Sequence, residues 1–110
     1  MEIDRVNWLA PWGPVPRDTA GDLEEELAKE VAPGHLLFGL PAHAVARRGD
    51  TDDVLFLVSG NSHRCAVVHL TWRGVTETDT TWPVTELYQS LGQWVDTRMR
   101  TDHSDPDATR

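Results

Sequence analysis

A guanidinium, a carboxylate and an imidazole fall in one row across three predicted strands. The strands are separated by Gly49-Asp50 and Gly60-Asn61, and both pairs are typical of two-residue hairpin turns. Counting back from these turns sets Arg47 opposite Asp52, and Asp52 opposite His69. A carboxylate beside an imidazole holds it in one tautomer, which is how a general base is oriented. The row predicts either a site for acid-base chemistry or ligand binding, or an ion pair at the end of the sheet.

The surroundings of this row favour neither nucleophilic catalysis nor metal binding. The nucleophilic side chains near it are Ser59, Ser62 and Cys65. None of them follows a strand-to-helix elbow, and the single cysteine is expected to be a small buried side chain. His63 and His69 lie about 20 Å apart along one strand, so they cannot share an ion. We expect no metal and no other cofactor, and catalysis by the row remains an alternative to a non-catalytic function.

The same count divides the strands into two faces. One face is half polar and is predicted to carry Val45, Val54, Phe56 and Val67, rimmed by His43, Arg47, Asp52, His63, Cys65 and His69. The other is more apolar and is predicted to carry Ala44, Ala46, Leu55, Leu57, Ala66, Val68 and Leu70. We expect the apolar face to receive the helices. A slip of one residue in either hairpin would exchange the faces.

The elements that must position these residues form one α+β domain. An amphipathic helix is expected to begin at Asp18 or Thr19 and to stop at Pro33-Gly34. Three strands follow as an antiparallel meander, in the segments AHAVARR, DVLFLVS and HRCAVVHLTW. A second helix is expected from near 83–85, with an apolar stripe made of Leu87, Leu91, Trp94, Val95 and Met99. The prediction is a three-stranded meander with an N-terminal and a C-terminal helix packed on one face. We place the domain at residues 1–100, with a Trp- and Pro-rich arm at 1–17 and a disordered tail at 101–110.

The tryptophans and the acidic residues suggest a binding function. Trp8 and Trp12 lie on the proline-stiffened arm, where they would either contact a partner or clasp the half-polar face. Asp50, Asp52 and Asp53 lie at a turn and strand edge and lack the spacing of a calcium loop. We predict that these five residues belong to a binding surface.

Charge limits the kinds of partner. The 110 residues carry a formal net charge of −8, which disfavours nucleic acid and anionic membrane surfaces and favours a basic protein. No apolar run is long enough to span a bilayer, and the start lacks the pattern of a signal peptide, so we expect a cytoplasmic protein. The preferred function is a small non-catalytic protein-binding module, and a homo-oligomer is left open.

Three segments carry a family resemblance. DDVLFLV (52–58), AVVHLTW (66–72) and WPVTELYQS (82–90) resemble the core of a group of short, uncharacterised bacterial proteins. This resemblance implies no particular activity. In size, acidity and tryptophan content the chain is also similar to small immunity proteins that neutralise secreted toxins, which would make it an inhibitor.

Overall fold

The computed structural model describes residues 6–59, 64–76 and 78–104. In this part of the chain the order of elements is β1 (Trp12–Pro14), α1 (Arg17–Glu30), β2 (Ala42–Arg48), β3 (Asp53–Val58), β4 (Cys65–His69), β5 (Val84–Tyr88) and a C-terminal helix, residues 91–104. The C-terminal helix has an α-helical turn at Leu91–Trp94, a π-helical segment at Val95–Met99 and a further α-helical segment at Arg100–Ser104. No helix among the described residues is both long and apolar enough to cross a membrane.

The α+β class and the antiparallel sheet are confirmed, but the three-stranded meander is wrong. The sheet has five strands in the order β1-β2-β3-β4-β5, and every neighbouring pair is antiparallel. The predicted meander supplies the three central strands. The arm adds β1 at one edge, where Trp12 pairs with Arg48.

The other edge strand, β5, lies where sequence analysis expected the last helix to begin. Val84, Thr85 and Tyr88 are β-branched or aromatic residues that suit a strand, and pairing with β4 satisfies backbone groups that would otherwise be open. Leu87 and Leu91 are four residues apart, which is the spacing of one helical face, and this spacing predicted a helix through both. In the structure Leu87 lies in β5 and Leu91 in the helix.

Ser90 sets the true start of the C-terminal helix. Its Oγ accepts a hydrogen bond from the backbone N–H of Gln93 at 3.1 Å, while Gln93 Oε1 accepts one from the N–H of Gln89 at 2.7 Å. These contacts satisfy N–H groups that the first helical turn leaves without partners.

We therefore expect Ser90→Ala to lower the free energy of unfolding by about 1 kcal/mol, measured by urea denaturation. Thr97→Ala is the control, because the Thr97 hydroxyl bonds only to the carbonyl of Gln93 within the same helix. It should change stability by less than about 0.5 kcal/mol. Equal effects of the two substitutions would contradict the capping role.

The two helical regions cover opposite faces of the sheet, so the prediction that both pack on one face is also wrong. Leu23 and Leu27 of α1 belong to a core cluster with side chains of the central strands, which are Ala44, Val54, Phe56, Val58, Ala66 and Val68. Trp94 and Met99 of the C-terminal helix belong to a second cluster with Trp12, Ala46, Leu55, Cys65 and Val67. A strand that is apolar on both faces needs a layer on each side, which β3 has.

A register difference of one residue explains the exchange of faces. The prediction assumed a two-residue turn between β3 and β4, which would place Phe56 opposite Cys65. The structure instead pairs Phe56 with Ala66 and Leu57 with Cys65. Between β2 and β3 the register shifts between Ala44 and Ala46, which sends these two alanines into different cores. The predicted turn residues 60–61 lie outside the described residues.

The ends of the predicted elements also differ. Helix α1 begins at Arg17, and its N-cap Pro16 makes no side-chain capping bond. At the other end of the domain the C-terminal helix continues to Ser104 and buries Asp102, beyond the limit expected at residue 100. Of the predicted tail, residues 105–110 lie outside the described part of the chain.

Candidate functional site

The candidate site is organised around Arg98, in the π-helical segment of the C-terminal helix. Its guanidinium donates from Nε to Asp102 Oδ2 at 2.9 Å and from Nη2 to Asp53 Oδ2 at 3.1 Å. Nη1 donates to Glu86 Oε1 on β5. One cation thus joins carboxylates from β3, β5 and the C-terminal helix.

The surroundings of Arg98 strengthen its positive charge. Burial by itself would lower the pKa of Arg98, but the hydrogen bond to Tyr88 and the charges of Glu86 and Asp102 raise that pKa above its usual value. The guanidinium also lies 5.8 Å from the centre of the Trp12 ring. Burial raises the pKa of the Tyr88 phenol, which stays neutral at physiological pH.

Asp102 carries the network from the site into the core. Its Oδ2 accepts from Trp12 Nε1 at 2.7 Å and forms an ion pair with Arg48 Nη1 at 3.2 Å. Arg48 is fully buried and also pairs with Asp50, with Nε at 2.7 Å from Oδ1. Because Asp102 is buried as well, each charge here depends on its partners for the solvation that water would supply.

His69 faces the site from the end of β4. Its Nδ1 lies 2.8 Å from Asp53 Oδ1, while the other oxygen of Asp53 accepts from Arg98. A carboxylate that accepts from Arg98 is ionised, so it is His69 Nδ1 that carries the proton and donates. In the neutral ring, Nε2 is then left with a lone pair, and no described group bonds to it.

An open pocket of about 300 Å³ lies beside these groups and is called here the β5 pocket. Its lining consists of Asp53, Val67, His69, Trp82, Val84, Glu86 and Arg98. Trp82 and Val84 are 42% and 47% exposed, so an apolar wall meets the polar groups of the pocket. This arrangement suits a ligand with both a flat or apolar part and a polar end.

The predicted row of Arg47, Asp52 and His69 is not present in that form. Asp53 takes the place of Asp52 beside His69, and Arg98 takes the place of Arg47. Asp52 and Arg47 are both exposed, and Arg47 lies opposite Val54. The difference follows from register, because His69 pairs with Asp53 and not with its neighbour.

The other predicted binding residues are dispersed. Trp12 is 2% exposed and meets Trp94 edge to face at 5.0 Å, and Trp8 lies 6.2 Å from the same ring. The arm therefore clasps the face that the C-terminal helix covers. Asp50 forms an ion pair with the buried Arg48.

Those potential nucleophiles and metal ligands that the structure describes do not assemble into a centre. Cys65 is buried and Ser59 is exposed, while Ser62 and His63 lie outside the described residues. The residues that the structure describes contain no group of three or more side chains placed to hold a metal ion.

Sequence reasoning missed Arg98, Asp102 and Glu86. A signal for the first two was present, since Arg98 and Asp102 stand four residues apart, as helical ion pairs do. Nothing local distinguishes Glu86, because its role comes from the pairing of β5 with β4.

A second buried polar cluster lies at the end of α1. Glu30 is fully buried, and its carboxylate accepts hydrogen bonds from the backbone N–H groups of Thr71 and Trp72 at 2.9 and 3.0 Å. Glu26, also buried, accepts from the N–H of Gly74 at 3.3 Å. Burial, followed by the hydrogen bond between the two carboxyl groups, raises the pKa of Glu30 to about 7. The pair holds the loop that carries Trp72.

Comparison with known proteins gives no match to this chain among protein-family models, curated proteins or solved structures. The resemblances to short bacterial proteins and to immunity proteins therefore stay predictions. What can be said of function rests on the geometry of the described residues.

Proposed function

We propose that the protein is a non-catalytic binding module for a protein partner with a basic surface. The observation that carries this proposal is the position of the large exposed hydrophobic side chains. All those in the described part of the chain come from three segments, and we call them the apolar patch: Leu36, Phe38, Trp72, Val75, Trp82 and Val84. Clustered exposed apolar side chains typically mark interaction surfaces.

Contacts between neighbouring segments hold the loops that carry the apolar patch against one another. His35 Nε2 bonds to the carbonyl of Pro83 at 3.0 Å, and its Nδ1 accepts from the N–H of Leu37 at 3.0 Å. Gly34 lies so close to Thr80 that an added Cβ would stand 3.1 Å from its Cγ2. The loop with Leu36 and Phe38 is thereby fixed against the segment that leads into β5. The bonds from Glu30 hold the Trp72 loop at the end of α1, immediately before the Leu36 loop.

Charge supports a basic partner. The whole chain carries a net charge of −8. Asp79 and Glu86 are exposed in or beside the segment that carries Trp82 and Val84. Hydrogen bonds from Thr81 lower the pKa of Asp79, which keeps this carboxylate ionised. An apolar centre with acidic residues around it fits a partner with an apolar contact bordered by lysine and arginine.

Binding is favoured over catalysis by the lining of the β5 pocket. His69 is oriented as a general base would be, but no Ser, Thr, Cys or Lys is among the described lining residues. A base in this position can take a proton from water or from a ligand. Because the described lining adds no hydroxyl, thiol or amine nucleophile, binding has the stronger support. An inhibitor or immunity-like protein that covers the basic surface of its target is a form of the proposed function.

Affinity capture with three forms of the protein tests the proposal. The patch variant carries Leu36→Ser and Phe38→Ser, which are each 51% exposed and do not line the β5 pocket, and the control carries Asp22→Asn on the exposed side of α1. We expect one basic protein to be retained in stoichiometric amount by the wild type and the control and to be lost at least tenfold with the patch variant. Calorimetry with the purified partner should reproduce this order and show weaker binding at higher salt.

Other results would contradict the proposal. Retention of the same protein by the patch variant would exclude the apolar patch as the interface. Concentration-dependent self-association of the wild type that the patch variant abolishes would make the patch a contact between copies of this chain. Unfolding curves of all three forms would first establish that they are equally folded.

A further inference from the structure

The β5 pocket presents two hydrogen-bond acceptors that have no partner among the described residues. The lone pair of His69 Nε2 is open because Nδ1 donates to Asp53. Glu86 Oε1 accepts from both Arg98 and Tyr88, which leaves Oε2 without a described partner. Each of the three nitrogens of Arg98 already donates to a carboxylate. Three of the five N–H groups of Arg98 thus orient carboxylates of the network, and its charge is paired with all three of them.

The charge of the connected network also favours a cation. Arg48 and Arg98 are the two guanidinium groups, and the carboxylates paired with them are Asp50, Asp53, Glu86 and Asp102. Two of these carboxylates, Asp53 and Glu86, line the β5 pocket together with one of the cations, Arg98, so the described lining carries one net negative charge when His69 is neutral. The cavity of about 300 Å³ is large enough for the end of a long side chain.

The apolar wall adds a feature that a carboxylate cluster alone lacks. The Trp82 indole is 42% exposed and lines the same cavity. It makes no ring or cation contact among the described residues. A planar guanidinium stacks on an indole face and donates in its own plane, which an ammonium cannot do.

We infer that the β5 pocket receives an arginine side chain of the partner, stacked on Trp82 and donating to Glu86 Oε2 and His69 Nε2. This inference rests on the proposed function, since it supplies the polar anchor at the border of the apolar patch. A buried arginine in a pocket with an aromatic wall is a common energetic centre of protein interfaces.

The test is an NMR titration of the full chain with N-acetyl-L-arginine amide. The side-chain signals of Trp82 and His69 should shift with a Kd of roughly 1 to 10 mM, as expected for one isolated side chain. N-acetyl-L-citrulline amide, which has nearly the same shape and no charge, should bind at least about fivefold more weakly. Shifts of equal size with citrulline, or shifts that map away from these two residues, would overturn the inference.

Glu86→Gln isolates the proposed acceptor. The amide oxygen can still accept from Arg98, but the charge and the Oε2 acceptor are lost, so we expect at least about fivefold weaker binding of the arginine amide. Asp96→Asn is the matched control, because Asp96 is an exposed carboxylate of the C-terminal helix that pairs with Arg100 outside the pocket. Unchanged affinity in Glu86→Gln would overturn the assignment.

Agmatine distinguishes a partner's side chain from a free small molecule. Agmatine binding more than tenfold tighter than the arginine amide would overturn the assignment to a partner.

The proposed interface at the apolar patch and the proposed arginine site in the β5 pocket fail separately. Capture that depends on the apolar patch without arginine-amide binding would remove only the pocket inference. Arginine-amide binding with capture unaffected by the patch variant would remove the proposed interface.

Discussion

Asp102→Ala is expected to lower the free energy of unfolding by about 3–5 kcal/mol. Asp102 is 4% exposed and accepts from Trp12 Nε1, while its carboxylate also pairs with Arg48 and Arg98. Without it, the fully buried Arg48 loses one of its ion-pair partners, and the Trp12 indole N–H loses its acceptor. Such a loss is a large part of the stability of a typical domain, so urea unfolding followed by tryptophan fluorescence will detect it readily.

Asp96→Ala is the control for this prediction. Asp96 lies in the same helix, but its side chain is 70% exposed and its ion pair with Arg100 is 3.4 Å long. Its replacement should change stability by less than about 0.5 kcal/mol. If Asp102→Ala costs less than about 1 kcal/mol, the network does not bind the end of the helix to the arm as described.

Stability should fall as pH rises from about 5 to about 8, through the Glu26 and Glu30 pair. The pKa of Glu30 is raised from an ordinary 4.5 to about 7 in the folded protein. Below pH 4.5 the carboxyl is protonated in both states, and the contribution of this group to stability is fully present. Between these pKa values the folded state retains a proton that the unfolded chain has released, so rising pH favours unfolding. Above pH 7 the loss is complete and amounts to about 3 kcal/mol at most.

Glu26→Gln separates this contribution from the other titrating groups. The amide introduced at position 26 would donate to the Glu30 carboxylate, so the variant should be about 1–2 kcal/mol more stable than the wild type at pH 8. The difference in stability between this variant and the wild type should shrink towards pH 5, where Glu30 is protonated in the folded protein. Glu25→Gln, on the exposed side of α1, should leave the pH dependence of the wild type unchanged.

Parallel pH curves for the wild type and Glu26→Gln would contradict the contribution of Glu26 to the raised pKa of Glu30. The prediction also concerns the apolar patch, because Glu30 holds the loop that carries Trp72. The backbone N–H groups of Thr71 and Trp72 donate to this carboxyl group and favour its ionised form, so ionisation of Glu30 strengthens these two hydrogen bonds. Local opening should therefore not accelerate hydrogen exchange at the amides of Thr71 and Trp72 at pH 8 beyond what the chemistry of exchange and the lower global stability require.

Helix α1 and the three central strands could be predicted from local patterns. Leu23 and Leu27 recur at the helical period and are buried as expected. The apolar run of β3 correctly indicated a strand between two neighbours. These features depend on residues close together in the chain, where period and turn chemistry are informative.

The start of the last helix was wrong although its capping signal was present. Ser90 and Gln93 have the spacing of a capping box, but the apolar residues at 87 and 91 suggested an earlier start. The strand character of 84–88 became decisive only because β4 offers an open edge there. The helical spacing of local apolar residues favoured a helix at 84–88, whereas pairing with the distant strand β4 favoured a strand, and the structure has the strand.

The sequence by itself determined an acidic α+β domain with an antiparallel sheet and placed His69 near a carboxylate and an arginine. The tertiary structure decided which carboxylate and which arginine lie beside His69. A shift of one residue in the register between β3 and β4 places Asp53 there and not Asp52, and it also moves Cys65 and Val67 to the other core. Arg98 and Asp102 reach the site through a helix that packs on a face the sequence assigned differently. Side-chain direction in a sheet alternates at every residue, so a small error in loop length reverses it, and only the packed structure resolves that choice.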